Sequence, residues 1–348
     1  MDFVSVSKRT SLSAVGVMIK DKTTHASCCC FGWTNRVVVP FIMAAAEGDN
    51  IVLRFTYTGA DDEVIPYEAT HILVQARVIR RNAFHRHQNI VEVICNKDVE
   101  KIEADAFCEC PSLKRVIMPG VKIVEEFAFI GCTALEYVEC DKLEIIGDSA
   151  FFLCDSLRSI SLPSARIVQE EAFNACYALK DVNFGKKLER MERRAFCSCK
   201  SLERITIPLK DGLIASDHTF VGCYNLRHVH LVEGEMQETI VALQLEEWRN
   251  DMNQEIGLIN QTLPNAAAGG WGVEAHEEDL GEKARTIRSW IRSVLRKITN
   301  YQDEHRRLLN EVAMTLQLAL PNEIVMNNVL SFLNLPPYTF EVNEEEGE

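Results

Sequence analysis

The sequence lacks several features that would define a function directly. It has no run of about 18 apolar residues, the minimum for a membrane-spanning helix, so no membrane span is expected. It also lacks a glycine-rich loop of the kind that cradles phosphate groups and a G-x-S-x-G turn that presents a nucleophilic serine. Neither a cofactor nor an enzymatic activity is therefore predicted.

Positive charge is also scarce relative to negative charge. The 348 residues include 37 Lys and Arg against 51 Asp and Glu, which gives a formal net charge of -14. Such a balance argues against nucleic acid as a partner, because nucleic-acid binding requires an excess of basic side chains. An acidic excess mainly favours solubility, so it identifies no partner.

What the sequence does contain is one unit that recurs seven times at a spacing of 22 to 24 residues. A phenylalanine marks each copy; the seven are Phe84, Phe107, Phe129, Phe151, Phe173, Phe196 and Phe220. Three residues later the first copy has His87 and the others have Cys110, Cys132, Cys154, Cys176, Cys199 and Cys223. Apolar residues also recur six and nine residues after each phenylalanine. A fixed period of this length predicts a solenoid of stacked repeats.

The repeat predicts a short strand followed by a tight helical turn. In the second copy, Val116 and Met118 alternate with Arg115 and Ile117, which is the pattern of a strand with one buried face. The segment around each phenylalanine suits one turn of helix. Such a unit buries its apolar side only against its neighbours, so we expect the phenylalanine and cysteine side chains to form a continuous core.

The regular cysteines predict buried, free thiols rather than disulfides or metal ligands, because free cysteine is among the most buried residue types. The pairs Cys108/Cys110 and Cys197/Cys199 are spaced more closely than zinc ligands usually are, so no metal is predicted. Free thiols indicate a reducing compartment, cytoplasmic or nuclear. An organelle presequence is the alternative, since basic residues and serines precede the first acidic residue after Asp2.

The repeats contain the segments SLRSISLP (residues 156–163) and SLERITIP (residues 201–208) and the recurring pattern I-x-x-x-A-F-x-x-C. In these motifs they resemble the BspA-like type of leucine-rich repeat. The resemblance covers residues 76 to 232. It implies a right-handed α/β solenoid of about seven repeats and a role as an interaction module.

The outward face of the strands, expected to be the concave surface, is the predicted site for a protein partner. Positions eight and ten residues after each phenylalanine point to solvent there. The predicted partner-binding residues are Arg115, Ile117, Tyr137, Glu139, Ser159, Asp181, Asn183, Arg204, Thr206, His228 and His230. Neither sign of charge dominates this face. The pair His228 and His230 has no visible orienting group or pocket, which a catalytic pair requires, so both are interpreted as exposed polar residues.

The segments on either side of the repeats have different patterns. Residues 1–49 are predicted to be poorly ordered, and residues 50–75 are predicted to cap the solenoid, because an open end would expose its core. The solenoid itself is expected over residues 76–234. Residues 235–335 are predicted to form a helical hairpin, and the acidic tail of residues 336–348 is predicted to be disordered.

The predicted hairpin rests on apolar residues spaced by three and four. In the first helix these run from Val241 to Leu263, and in the second they are Ile287, Ile291, Val294, Ile298, Tyr301, His305, Leu308 and Val312. The second set is a heptad pattern. We interpret it as an antiparallel hairpin, in which acidic residues of the first helix, such as Asp251 and Glu255, either pair with Arg285, Arg288, Arg292 and Arg296 or are solvated. A coiled-coil homodimer, or a docking stripe for an acidic partner, is the alternative.

The segment LPNEIVMNNVLSFLNLPP, residues 320–337, resembles the opening of an F-box, which implies recruitment of a ubiquitin ligase. A short helix that packs on the hairpin explains it equally well. The sequence therefore predicts a non-catalytic protein-interaction scaffold, and the alternative is a substrate adaptor of a ubiquitin ligase.

Overall fold

The computed structural model describes residues 15–16, 43–47, 50–61, 63–232, 245–268 and 281–317. Its strands in chain order are β1 Val15–Gly16, β2 Met43–Glu47, β3 Asn50–Tyr57, β4 His71–Val74, β5 Val78–Ile79, β6 Glu92–Cys95, β7 Lys101–Ile102, β8 Arg115–Ile117, β9 Ile123–Val124, β10 Tyr137–Glu139, β11 Ile145–Ile146, β12 Ser159–Leu162, β13 Ile167–Val168, β14 Asp181–Phe184, β15 Arg190–Met191, β16 Arg204–Ile207 and β17 His228–Leu231. Two helices follow, α1 Glu246–Thr262 and α2 Glu282–Gln317.

Successive repeats stack their strands in parallel, which confirms the predicted solenoid. The longer strands form a ladder in the order β3-β4-β6-β8-β10 and then β12-β14-β16-β17. A second sheet runs along the molecule in the order β5-β7-β9-β11-β13-β15, built from two-residue strands that the sequence pattern did not separate from the turns. Each of the first six repeats thus contributes one strand to the ladder and one to the second sheet, and the seventh contributes β17 to the ladder and an isolated bridge from Ile214 to Met191.

Around the first six repeat phenylalanines the turn is not the helical turn that the sequence predicts. The residues two before and two after the phenylalanine adopt left-handed backbone angles, for example Asp105 with φ of 57° and Glu109 with φ of 54°. A left-handed residue interrupts the right-handed hydrogen bonding of a helix. Within the described residues, a helical turn occurs in the repeats only at Asp217–Phe220, where it is a 3-10 helix.

The phenylalanine rings form one continuous stack through the solenoid. Neighbouring ring centroids are 4.8 to 5.9 Å apart, and the ring planes are within 13° of parallel. All seven side chains are buried. Burial of one such side chain stabilises a fold by about 1.5–3 kcal/mol, so the column is a principal source of stability.

The strands β1 to β3 lie at the N-terminal end of the ladder. Tyr57 of β3 lies on the first ring of the stack, with its centroid 5.1 Å from that of Phe84. The strand β3 pairs in parallel with β4, and β2 pairs antiparallel with β3 along five residues. The strands β1 and β2 continue the long sheet beyond the cap. The prediction that residues 1–49 are poorly ordered stays a prediction.

The two helices form the predicted antiparallel hairpin. Trp290 Nε1 in α2 donates a hydrogen bond to the backbone oxygen of Glu255 in α1. Further along, the Tyr301 ring of α2 stacks on the Trp248 ring of α1, with the ring centroids 5.2 Å apart. The heptad residues Ile287, Ile291, Val294 and Ile298 are all buried. The heptad stripe is thus covered within one chain as far as Ile298.

The hairpin closes the C-terminal end of the solenoid. Asn260 Oδ1 in α1 accepts a hydrogen bond from the Val229 amide of β17, the last ladder strand, at 2.9 Å. The buried Lys283 Nζ donates to the backbone oxygens of Leu226 and Leu263, so it joins the last repeat to the hairpin. Burial lowers the pKa of this lysine.

The arginines of α2 have other partners than the sequence predicts. Arg285 and Arg288 both contact Asp217, and Arg292 Nε lies 3.1 Å from Asp211 Oδ1. These aspartates belong to the last turn of the solenoid, not to α1. The acidic residues Asp251 and Glu255 of α1 instead pair with Lys297 and Tyr301. The arginines therefore fasten α2 to the repeats.

Gly281, immediately before α2, allows this close contact. Its φ is +86°, and an added Cβ would lie 2.6 Å from Asp217 Cβ. We predict that Gly281→Ala lowers the free energy of unfolding by about 1–3 kcal/mol, the usual cost of overpacking. Urea denaturation followed by tryptophan fluorescence measures this change, because Trp248 and Trp290 are both buried in the hairpin.

Gly257→Ala is the matched control. Gly257 lies in α1, where an added Cβ meets no atom within 4 Å, so this change should raise stability by up to about 1 kcal/mol. Equal stability of the two variants would contradict tight docking of the hairpin at Gly281.

Candidate functional site

The outward side chains of the ladder lie in two parallel files. One file aligns Glu92, Arg115 and Tyr137 on neighbouring strands, and the other aligns Ile94, Ile117 and Glu139. From β12 to β17 the outward side chains again form two files. The first file contains Ser159, Asp181, Arg204 and His228, and the second contains Ser161, Asn183, Thr206 and His230. All eleven predicted partner-binding residues therefore lie on one face, the outward face of the ladder. Their role in binding stays a prediction.

Side chains in the first half of this face contact one another. Arg115 Nε lies 3.6 Å from Glu92 Oε1, and the Arg115 guanidinium carbon lies 5.0 Å from the centre of the Tyr137 ring. The Tyr137 hydroxyl donates a hydrogen bond to Glu139 Oε2 at 3.2 Å, and this bond raises the pKa of Tyr137. These contacts hold the Tyr137 ring in place on the surface.

The second half of the face has similar pairs. The Arg204 guanidinium binds the Asp181 carboxylate, which raises the pKa of Arg204, and Thr206 Oγ1 donates to Asn183 Oδ1 at 2.9 Å. The His228 and His230 rings lie 6.2 Å apart. Charge on this face is therefore largely balanced within the face itself.

The cap adds ladder residues that the predicted site omits. In β4, His71 aligns with Glu92 and Leu73 aligns with Ile94. The alternation in HILV, residues 71–74, carries this signal, since it matches the strand pattern of the repeats. Leu73, Ile94 and Ile117 consequently form a short apolar strip across three strands.

The ladder is interrupted between β10 and β12. These strands belong to different sheets, whereas the short-strand sheet and the phenylalanine stack continue past this point. The repeat length is constant here, so the spacing of the repeats does not signal the interruption.

The cysteines on the inner side are hydrogen-bonded thiols. The six repeat cysteines donate through Sγ to the backbone oxygen of the phenylalanine one repeat earlier, at 3.0 to 3.4 Å. His87 fills the same position in the first repeat, where its Nε2 lies 3.1 Å from the Pro66 oxygen. The ten cysteines in the described residues are buried, as the sequence predicts.

Burial also makes these thiols poor nucleophiles and poor metal ligands. It raises the pKa of Cys95, Cys110 and Cys176 to about 12. A thiol with such a pKa is protonated at neutral pH, and the thiolate is the form that reacts or binds metal. In the described part of the chain, no cluster of three or more His, Cys, Asp or Glu side chains could hold a metal ion.

Neither described helix is long and apolar enough to cross a membrane. The F-box-like segment, residues 320–337, and the acidic tail, residues 336–348, lie outside the described residues.

A family model for the BspA type leucine rich repeat region matches residues 77–203 and 144–240, in six copies. Residues 77–240, which form the solenoid, are therefore similar to the BspA-type leucine-rich repeat family.

Among solved structures, the leucine-rich repeat protein TpLRR of T. pallidum is 25% identical, and the match covers 54% of this chain and 78% of that chain with a TM-score of 0.36. A leucine-rich repeat protein from Bacteroides ovatus is 26% identical over 42% of each chain, with a TM-score of 0.35. The pneumococcal vaccine antigen PcpA is 17% identical over 54% of this chain and 70% of that chain, with a TM-score of 0.29. No curated protein sequence matches the chain significantly.

The burial of the six repeat cysteines, here called the cysteine row, can be tested by alkylation. We predict that iodoacetamide at about pH 8.5 leaves the repeat cysteines unmodified in the native protein and alkylates all of them in denaturant, because only the unfolded thiols ionise near that pH. Peptide mass spectrometry after brief exposure measures the modification of each cysteine.

The denatured sample serves as the control for reagent activity. Rapid alkylation of Cys154 or Cys176 in the native protein would contradict the buried position of the row.

Proposed function

We propose that this protein is a non-catalytic protein-interaction scaffold that binds its partner on the outward face of the ladder. The observation that carries the proposal is the group of exposed apolar and aromatic side chains on strands β4, β6 and β10 of one sheet. Leu73 is 41% exposed, Ile94 is 37% exposed and Tyr137 is 47% exposed. Leucine-rich repeat regions typically serve as such scaffolds, and an extended array suits a large partner surface.

The chemistry of the face favours a protein over a polyanion. Tyrosine and arginine are the residue types that most often dominate protein interfaces, and Tyr137 lies beside Arg115. Charges along the face are paired with opposite charges, so no basic stripe is available for a nucleic-acid backbone. Contacts that hold side chains in place before binding reduce the entropy lost on association.

A non-catalytic role is consistent with the chemistry of the described residues. Catalysis requires a nucleophile or base in hydrogen-bond contact with an orienting group. His228 and His230 are exposed on β17, where their rings stack on each other, and the described thiols are buried. These features support a binding role for the ladder.

Compartment and oligomeric state form part of the proposal. Free thiols in every described repeat support a reducing compartment, cytoplasmic or nuclear. A homodimer through the C-terminal helices would use the part of α2 beyond His305, where Val312 is 42% exposed and Met314 is 69% exposed. The ubiquitin-ligase adaptor stays an alternative prediction that depends on residues 320–337.

Quantitative affinity purification tests the proposed surface. The bait is the full chain, beside a variant that carries Leu73→Glu, Ile94→Glu and Tyr137→Ala. We expect bound partners to decrease by about tenfold or more with the variant, because loss of central apolar contacts at an interface typically costs at least this much affinity.

Val64→Glu is the matched control, since Val64 is 74% exposed and lies outside the ladder. Circular dichroism establishes that each bait is folded. Retention of the same partners by the triple variant would overturn the proposed surface.

A further inference from the structure

A second surface with binding features lies on the turns, away from the ladder. A shallow cleft of about 410 Å³ crosses the turns of the fourth, fifth and sixth repeats. Its apolar floor includes Phe152, Leu153 and Ala175, and Tyr177 forms part of its wall. Binding sites for small groups commonly begin at about 300 Å³, so the cleft has room for a large side chain.

The apolar floor does not follow from the repeat pattern. The two positions directly after the repeat phenylalanine hold Phe152 and Leu153 in the fourth repeat, and no other copy has two large apolar residues there. Both side chains are only partly buried. They are not needed for the phenylalanine column, which lies on the inner side.

Leu153 differs in residue type from the residues at the same position of the other repeats. Its φ is 59°, in the left-handed region that this position adopts in every repeat; the other repeats have Arg86, Glu109, Gly131, Ala175, Ser198 and Gly222 there. A left-handed conformation costs a non-glycine residue roughly 1–2 kcal/mol. Among the seven repeats Leu153 is the only large apolar residue at this left-handed position, and its side chain stays partly exposed instead of joining the core.

A positive charge stands at the rim of the cleft. Lys200 is exposed, its Nζ lies 4.7 Å from the centre of the Tyr177 ring, and no carboxylate in the described part of the chain forms a salt bridge with it. The neighbouring Arg194, which also lines the cleft, contacts Glu171 at 3.0 Å. A ligand with a carboxylate next to an apolar group would therefore match both the floor and the rim.

We propose that this cleft binds an extended peptide segment of a partner protein. One bulky apolar side chain of the segment packs on Phe152, Leu153 and Ala175, and an adjacent Asp or Glu pairs with Lys200. An open, shallow cleft suits a peptide on the surface better than an enclosed small molecule. The site goes beyond the proposed ladder surface, since it lies on another face and is tested independently of it.

Selection from a random peptide library displayed on phage tests the proposal with the intact protein as target. We expect the selected peptides to share a large apolar residue next to Asp or Glu. Their affinities are then measured by fluorescence anisotropy with labelled synthetic peptides. Leu153→Gly should weaken binding by about tenfold or more, because it removes a large contact at the floor. The same change relieves backbone strain, so it should not lower the unfolding midpoint.

Charge reversal gives the second arm of the test. Lys200→Glu should weaken binding of the acidic peptides by about two- to fivefold, the range of an exposed ion pair, and should favour peptides with Lys in place of the acidic residue. Glu109→Gly is the matched control, because Glu109 occupies the same left-handed position as Leu153 but lies outside the cleft. Selected peptides without the apolar–acidic pair, or equal affinity for wild type and Leu153→Gly, would overturn the proposal.

Discussion

The stacking of one phenylalanine on the next is the interaction on which the remaining structure depends. Neighbouring rings lie about one strand spacing apart, so the column fixes the distance between repeats in both parallel sheets. Hydrogen bonds between repeats also fix the backbone next to each phenylalanine. The Phe107 amide donates to the Ala128 oxygen of the next repeat, and the Phe107 oxygen accepts the Cys132 thiol. Small, weakly polar cysteine satisfies this buried carbonyl without a charge, which explains why it recurs.

Because the inner side is so constrained, the outer positions are where repeats differ from one another. A continuous core needs both ends closed: Tyr57 covers the first ring, and the hairpin covers the last repeat through contacts such as Lys283 with Leu226. Between these caps the chain presents two separate surfaces of different character. The ladder has balanced charges and an apolar strip, while the turns of the fourth to sixth repeats form a cleft with a basic residue, Lys200, at its rim.

The sequence was sufficient to predict the core but not the details that depend on contacts between repeats. The spacing of phenylalanine, cysteine and leucine predicts the buried column and the outward ladder residues, because a period maps directly onto stacked positions. It did not predict the left-handed turns, since Asp105 and Glu109 are residue types that also occur in helices. The partners of Arg285 and Arg288 were also missed, because Asp217 is distant in sequence and becomes a neighbour only when the hairpin docks. Likewise, the cleft depends on three repeats at once, and a single-repeat pattern does not reveal it.

Urea denaturation of Phe151→Ala, compared with Phe127→Ala, tests the central role of the column most directly. Phe151 is 0% exposed in the middle of the stack, whereas Phe127 is 36% exposed on the turn face. The account predicts that Phe151→Ala lowers the free energy of unfolding by about 3–5 kcal/mol, and that Phe127→Ala lowers it by about 1 kcal/mol or less. Equal losses for the two variants would contradict the claim that the stacked phenylalanines carry the fold.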